Sequence, residues 1–355
     1  MMISVIVPFY NARNYIERFL KAFRNQTSQN YELILVDDGS NDGSKELLDT
    51  LKKTYNFVYV FQNNRGVSEA RNTGIRYAKY ENILFADIDD IVEKNYIERF
   101  YLNIDDNNSL ICCSYNIEYP KEDRSLKKLL HVNLEKLEKD QSIFEIDVNG
   151  MLNVVWNKLF FKSILVDNKI KFNSDLKSGE DLDFVYHYCR FIKKIKIIEE
   201  PLYNYIRIDG HSTLNKYIPN LEINLDFVED AREQFYSSST LQASEYREFL
   251  DSCYINSKMI VLNNSYKFDA PRKLNKKVIY SIINDSKLRR CLDNVKYSTF
   301  NQVIFYFAVK SRNFYIFYLI YNVLFFMRNK MNFLYIVLKP LFFDFKFFGK
   351  RGNKL

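Results

Sequence analysis

Two aspartates one residue apart, Asp87 and Asp89, follow the apolar run at 82–86 (NILFA). In an extended segment, alternation points both side chains to one side. Neighbouring carboxylates repel each other unless a cation or a proton comes between them. Mg²⁺ and Mn²⁺ are often held by one or two carboxylates together with substrate phosphates. The pair therefore suggests chemistry on a metal-bound diphosphate. An isolated pair of this kind is more often a solvated turn, so its surroundings carry the reading. A second acidic cluster, Asp37-Asp38-Gly39-Ser40, ends the apolar run at 31–36. It suits a turn and helix cap, and equally a carboxylate that accepts hydrogen bonds from a nucleobase or ribose. Asn64-Arg65-Gly66 precedes a helical pattern, where Gly66 permits a tight loop and a helix N-terminus favours anions. A third acidic cluster, Gly179-Glu180-Asp181, stands far downstream.

Something must bring these clusters together. Residues 3–9, 31–36, 57–61 and 82–86 are short apolar runs rich in β-branched and aromatic residues, which reads as four strands. Helical patterns at 12–26, 42–53 and 67–79 separate them. Strands alternating with helices predict a mostly parallel, Rossmann-like sheet covered on both faces. Ligands in such sheets bind beyond the carboxyl ends of the strands. Asn11, Asp37-Asp38 and Asp87 to Asp90 all fall at those ends, and their convergence is a stronger signal than any one of them. Residues 109–117 read as a further strand and 121–142 as charged and peripheral. From about 220 to 300 the pattern is helical and amphipathic.

The 355 residues, 47% of them hydrophobic, suffice for one large domain or two. The net charge of +7 is carried by the end of the chain: residues 301–355 hold nine Lys/Arg and one acid, Asp344, so the first 300 residues sum to −1. A nucleic-acid-binding body, which needs a basic face, is unsupported on that ground. Five cysteines in no regular spacing suggest reduced thiols in a cytoplasmic protein. The first residues lack a basic region and cleavage site, so no secretory signal is expected.

Taken in order, the motifs resemble those of a family 2 glycosyltransferase with a GT-A fold. They are Val7-Pro8-Phe9-Tyr10-Asn11, Val36-Asp37-Asp38-Gly39-Ser40, Asn64-Arg65-Gly66-Val67-Ser68, Ala70-Arg71-Asn72-Thr73-Gly74, Phe85-Ala86-Asp87-Ile88-Asp89-Asp90, Trp156-Asn157-Lys158 and Gly179-Glu180-Asp181. The resemblance covers residues 3–212. It implies inverting transfer of a sugar from a nucleotide sugar, usually a UDP-sugar, to a saccharide or lipid-linked acceptor. By resemblance, Pro8, Tyr10 and Asp38 line the nucleobase and ribose pocket and Arg71 lies near the nucleotide. Asp87 and Asp89 hold Mn²⁺ or Mg²⁺, with Asp89 the more direct ligand. Asp181 is the catalytic base, with Glu180 beside it shaping the acceptor site. Trp156 and Asn157 belong to an acceptor-side loop, though Trp156, the single Trp, equally suits a core, and His211 resembles a histidine that the fold brings to the metal or diphosphate. Ile88 departs from the small or polar residue usual between the two aspartates; a side chain turned into the sheet tolerates it.

The expected organisation is a catalytic domain at 1–215, a helical region at 216–300 and a basic aromatic tail at 301–355. The tail holds 17 of the 58 aromatic residues. Its uncharged stretch, 313–327, is 15 residues long, short of the roughly 20 that cross a bilayer. Aromatic and basic residues together suit an anionic membrane surface, which places the protein peripherally at the inner face of the cell membrane. A homodimer contact or internal packing would cover the same apolar surface. Two other functions compete. A sugar-nucleotide pyrophosphorylase needs a glycine-rich N-terminal loop, which 7–11 lacks. A non-catalytic nucleotide-sugar-binding scaffold at the membrane would have no use for both Asp89 and Asp181.

Overall fold

The computed structural model describes residues 2–104, 108–120, 124–129, 137–207, 216–267, 269–271, 273–297 and 299–330. His211 and residues 331–355 lie outside them. The chain divides into two compact units: Met1–Ser212 with Asp230–Leu241, and Thr213–Glu229 with Gln242–Leu355.

The first unit begins with the alternation β1 (Ile3–Phe9), α1 (Arg13–Arg24), β2 (Tyr31–Asp37), α2 (Ser44–Leu51), β3 (Val58–Phe61), α3 (Val67–Tyr77) and β4 (Asn82–Phe85). β1 is buried along its whole length, as expected of a strand covered on both faces. α1 buries Ile16, Phe19, Leu20 and Phe23, the spacing of a single apolar stripe. There follow β5 (Ile91–Val92), α4 (Tyr96–Asn103), β6 (Ser109–Tyr119), β7 (Arg124–Lys128), α5 (Lys139–Val148), β8 (Lys158–Phe161), α6 (Lys162–Asp167), α7 (Glu180–Cys189) and β9 (Lys194–Ile206). The strands form one sheet in the order β3-β2-β1-β4-β8-β6-β9-β5, with β7 beside β6. β1 to β4 pair in parallel. Beyond β4 the sheet is mixed: β8 runs antiparallel to both β4 and β6, while β6 and β9 are parallel. β9 carries a bulge, because Ile198 faces Cys113 but Pro201 faces Ser114.

α3 lies directly on β1. A Cβ on Gly74 would come within 2.1 Å of Ile6 Cγ2, so only glycine permits the approach. Arg71, one turn earlier, is thereby fixed above the strand ends.

In the second unit, α9 (Ala243–Ser265), α10 (Leu274–Asn284), α11 (Ser286–Asn294), α12 (Phe300–Lys310) and α13 (Phe314–Lys330) follow α8 (Leu221–Ser237), which supplies residues to both units. Ile255, Leu262, Ile279, Leu288, Phe305 and Phe317 belong to one buried cluster. Part of the basic aromatic segment is thus core to this unit, joined to the helices that precede it.

Candidate active site

Because β1, β2 and β4 are parallel, their carboxyl ends open on the same edge. Asp38 N–H donates to Phe9 O (2.8 Å) and Ala86 N–H to Ile6 O (3.0 Å), which ties the three loops together at their roots. Pro8 is buried within β1, and Tyr10, just past it, is 49% exposed. Asn11 takes φ 50°; its N–H donates to Ser40 Oγ and its side-chain oxygen accepts from Asn41 N–H (2.8 and 2.9 Å).

Asp38 is buried. Its Oδ1 accepts from Gln62 Nε2 (2.8 Å) and Arg65 N–H (2.9 Å), and its Oδ2 from Gly66 N–H (2.8 Å). The carboxylate therefore shapes the 62–66 loop at the start of α3. Asp37 does the same locally, accepting from Ser40 N–H and Tyr59 OH.

Arg71 joins the distant acidic clusters. Its guanidinium is 2.6 Å from Asp181, 3.4 Å from Asp87 and 3.7 Å from Glu180. The side chain is 5% exposed and passes over the Phe172 ring, 5.3 Å from its centroid. Burial works against its charge, but the three carboxylates outweigh burial and raise its pKa. Glu180 and Asp181 stand in the first turn of α7, behind Gly179 at φ 87°, where the helix dipole favours acids. Burial pushes the Asp181 carboxyl up to about 7; Arg71 pulls it down, and Glu180 and Asp87 push it further up. A 2.6 Å contact with a guanidinium favours the ionised form. Burial, with three acids sharing that one cation, nevertheless makes the upward direction prevail.

Two residues mount this clamp. Asn72 donates from Nδ2 to Phe172 O and accepts at Oδ1 from Phe172 N–H, both at 2.9 Å. Phe172 stacks on Phe184 of α7 at 3.9 Å between centroids and meets Phe85 of β4 edge-on. One ring thus touches the elements that carry Arg71, Asp181 and Asp87.

Asp87 N–H donates to Tyr203 OH (2.9 Å), which donates in turn to Asp90 Oδ2 (2.8 Å). Asp90 Oδ1 accepts from Ile206 N–H. Burial, then Asp87 and Asp89, hold the Asp90 carboxyl well above its ordinary range. Asp89 is exposed, and Arg18 Nη2 donates to its carbonyl oxygen. Local desolvation and the charge of Asp87 raise its carboxyl as well. Such crowding of like charges is what a bound cation relieves. Among the described residues no group of three His, Cys, Asp or Glu side chains is placed to hold a metal ion.

Trp156 is stacked on Tyr203 (4.3 Å, 14°) with Tyr115 against its edge, and is almost wholly buried. Asn157 is fully buried and donates from Nδ2 to Cys113 O. Lys158 Nζ, also fully buried, donates to Asn157 Oδ1 (2.6 Å) and to the carbonyls of Met151 and Val154. Burial lowers its pKa. This loop is held from inside, by groups turned away from solvent.

Sequence reasoning missed Tyr203, Gln62, Phe172 and the bridging role of Asp90. Asp90 stood in view beside Asp89. Tyr203 is one of two tyrosines in β9, and nothing local marks it out.

The sequence profile described as Glycosyl transferase family 2 matches residues 4–167. The putative glycosyltransferase EpsH of Bacillus subtilis (strain 168) is 30% identical over 283 residues, covering 78% of this chain and 80% of that protein. The chain belongs to the family 2 glycosyltransferases. A second relative of this glycosyltransferase is the poly(ribitol-phosphate) beta-N-acetylglucosaminyltransferase TarP of Staphylococcus aureus (strain N315). It is 33% identical over 61% of this chain and 68% of its own. The fold matches that of residues 1–349 of S. aureus TarS, solved in complex with UDP-GlcNAc. The TM-score is 0.66 at 18% identity, over 90% of each chain.

Proposed function

We propose that this glycosyltransferase moves a sugar from a nucleotide sugar, a UDP-sugar, to a saccharide or lipid-linked saccharide in cell-surface polysaccharide synthesis, with inversion at the anomeric carbon. The observation that carries the proposal is the Arg71 clamp. It draws Asp181 of α7 and Asp87, two residues past β4, together although 94 residues separate them. The Asp87 side receives the donor, with Tyr10 and the loop shaped by Asp38 along the nucleoside. Asp181 takes the proton of the acceptor hydroxyl as its oxygen bonds to the anomeric carbon and the bond from that carbon to the diphosphate oxygen breaks. One carboxylate suffices for that proton transfer, and a pKa raised toward neutrality suits it. Glu180 adjoins the acceptor. Trp156 and Asn157 support the acceptor side from beneath.

Asp87 and Asp89 would hold Mn²⁺ or Mg²⁺, which when bound offsets charge on the departing diphosphate. The relative TarP, named as a beta-N-acetylglucosaminyltransferase, and the UDP-GlcNAc complex of TarS support a UDP-sugar as the donor. The basic aromatic segment supports a location at the inner face of the cell membrane. The described residues include no helix long and apolar enough to cross one.

The test is a panel of UDP-, GDP- and dTDP-sugars with membrane lipid extract as acceptor source, with Mn²⁺ and then with EDTA. Release of nucleoside diphosphate from one donor, stopped by EDTA, by Asp89→Ala and by Asp181→Asn, is the expected result. Binding without turnover of any donor would favour the scaffold reading.

A further inference from the structure

α13 is apolar on the side that faces solvent. Phe317 and Tyr321 turn into the core of the second unit. On the other side Tyr315 is 79% exposed, Leu319 65% and Phe326 57%, with Ile316 and Val323 between them about half exposed. At about 100° per residue these five fall within an arc of roughly 100°. Phe307 of α12 is likewise exposed. A contiguous stripe of large apolar side chains on a helix face marks a contact surface.

Charge selects the occupant. Residues 301–330 contain Lys310, Arg312, Arg328 and Lys330 and no acid. Residues 331–355 add five basic residues and the single acid Asp344. A second copy would bring two such segments together, and the chain's own end would lay one basic stretch on another; both arrangements set like charges against each other. A negatively charged bilayer surface offers the opposite sign and an apolar layer within reach of side chains. We infer that the solvent face of α13, with Tyr315, Leu319, Val323 and Phe326 as its inserting residues, docks on anionic phospholipid. This deepens the membrane location proposed above and does not depend on sugar transfer.

The full chain is sedimented with vesicles of phosphatidylcholine alone and of phosphatidylcholine with phosphatidylglycerol, at low and raised salt. Partitioning is expected to be at least about tenfold stronger on the anionic vesicles and to weaken with salt. The variant Leu319→Glu/Val323→Glu, changed only at exposed positions, is expected to melt as the native protein does and to lose about tenfold or more in partitioning. Failure to bind either vesicle overturns the inference. So does vesicle binding that the double variant leaves unchanged, or a stable dimer that the double variant dissociates. Nucleotide-sugar turnover, measured separately, reports on the proposed reaction and leaves this outcome untouched.

Discussion

Replacing Tyr203 by Phe isolates the one hydroxyl that links Asp87 N–H to the Asp90 carboxylate. The side chain is fully buried. Its ring, stacked on Trp156 and tilted against Tyr96, is kept in Phe, so no cavity of consequence forms. What is lost is an acceptor for Asp87 N–H and a donor to Asp90 Oδ2, at 2.9 and 2.8 Å. Leaving a buried polar group without its partner costs about 1–3 kcal/mol. Two such groups, one partly reached by solvent, give an expected loss of about 2–4 kcal/mol. In a domain of this size each kcal/mol moves the melting temperature by about 2–4 °C, so a fall of roughly 4–16 °C is expected. The turn that carries Asp87 and Asp89 would loosen with it. A misplacement near 1 Å at a reacting centre can cost about a hundredfold, so kcat/KM should fall by about 10- to 100-fold. Denaturant unfolding and steady-state kinetics on the same preparation measure both. A stability loss below about 0.5 kcal/mol, the level of an ordinary surface change, together with an unchanged rate, would refute the claim that this hydroxyl holds the turn.

Asp181→Asn should lower kcat by about 10²- to 10⁴-fold, the usual worth of a general base, while calorimetry shows UDP affinity essentially unchanged. Since the base acts when deprotonated, kcat/KM should rise with pH along a limb near 7. Arg71→Met removes the downward pull on Asp181 and should move that limb to higher pH, which a pH–rate profile reads directly. Gly74→Ala should destabilise by at least about 1–3 kcal/mol, because the added Cβ meets Ile6 at 2.1 Å. Urea unfolding tests this, and the loss should shrink in an Ile6→Ala background.

The first half of the sheet was legible because its strands are short apolar runs that alternate with amphipathic helices, and its acids sit where runs stop. Asp87 and Asp181 could be named as separate clusters. Their meeting through Arg71 could not be read from spacing, since 110 residues separate Arg71 from Asp181. The mixed half was less visible. β8 is only four residues long, and β9 contains Glu199, Glu200 and Pro201 at its bulge, which interrupt the period of two that marks a strand. From the sequence Trp156 suits an acceptor-side loop and a core equally, and Asn157 an acceptor-side loop. Their burial depends on Tyr203, Tyr115 and Cys113, partners from other strands. The aromatics of 301–326 carry no sign of which belong to a core: Phe317 and Phe326 read alike, yet one is buried and the other open.

The contact between Gly74 and Ile6 also bears on what the fold can tolerate. Where two elements are spaced by side chains, a change of volume in the layer between them shifts one against the other. Here the helix backbone at Gly74 rests on the single side chain of Ile6, so the height of Arg71 is referenced to that one residue of β1. Substitutions deeper in the hydrophobic layer can alter stability and leave that height unchanged. The opposite jaw, α7, rests on two stacked side chains, Phe184 on Phe172, at 3.9 Å between ring centroids. Sequence drift and rising temperature should therefore be felt first as a widening between Arg71 and Asp181, with the strand ends still in place.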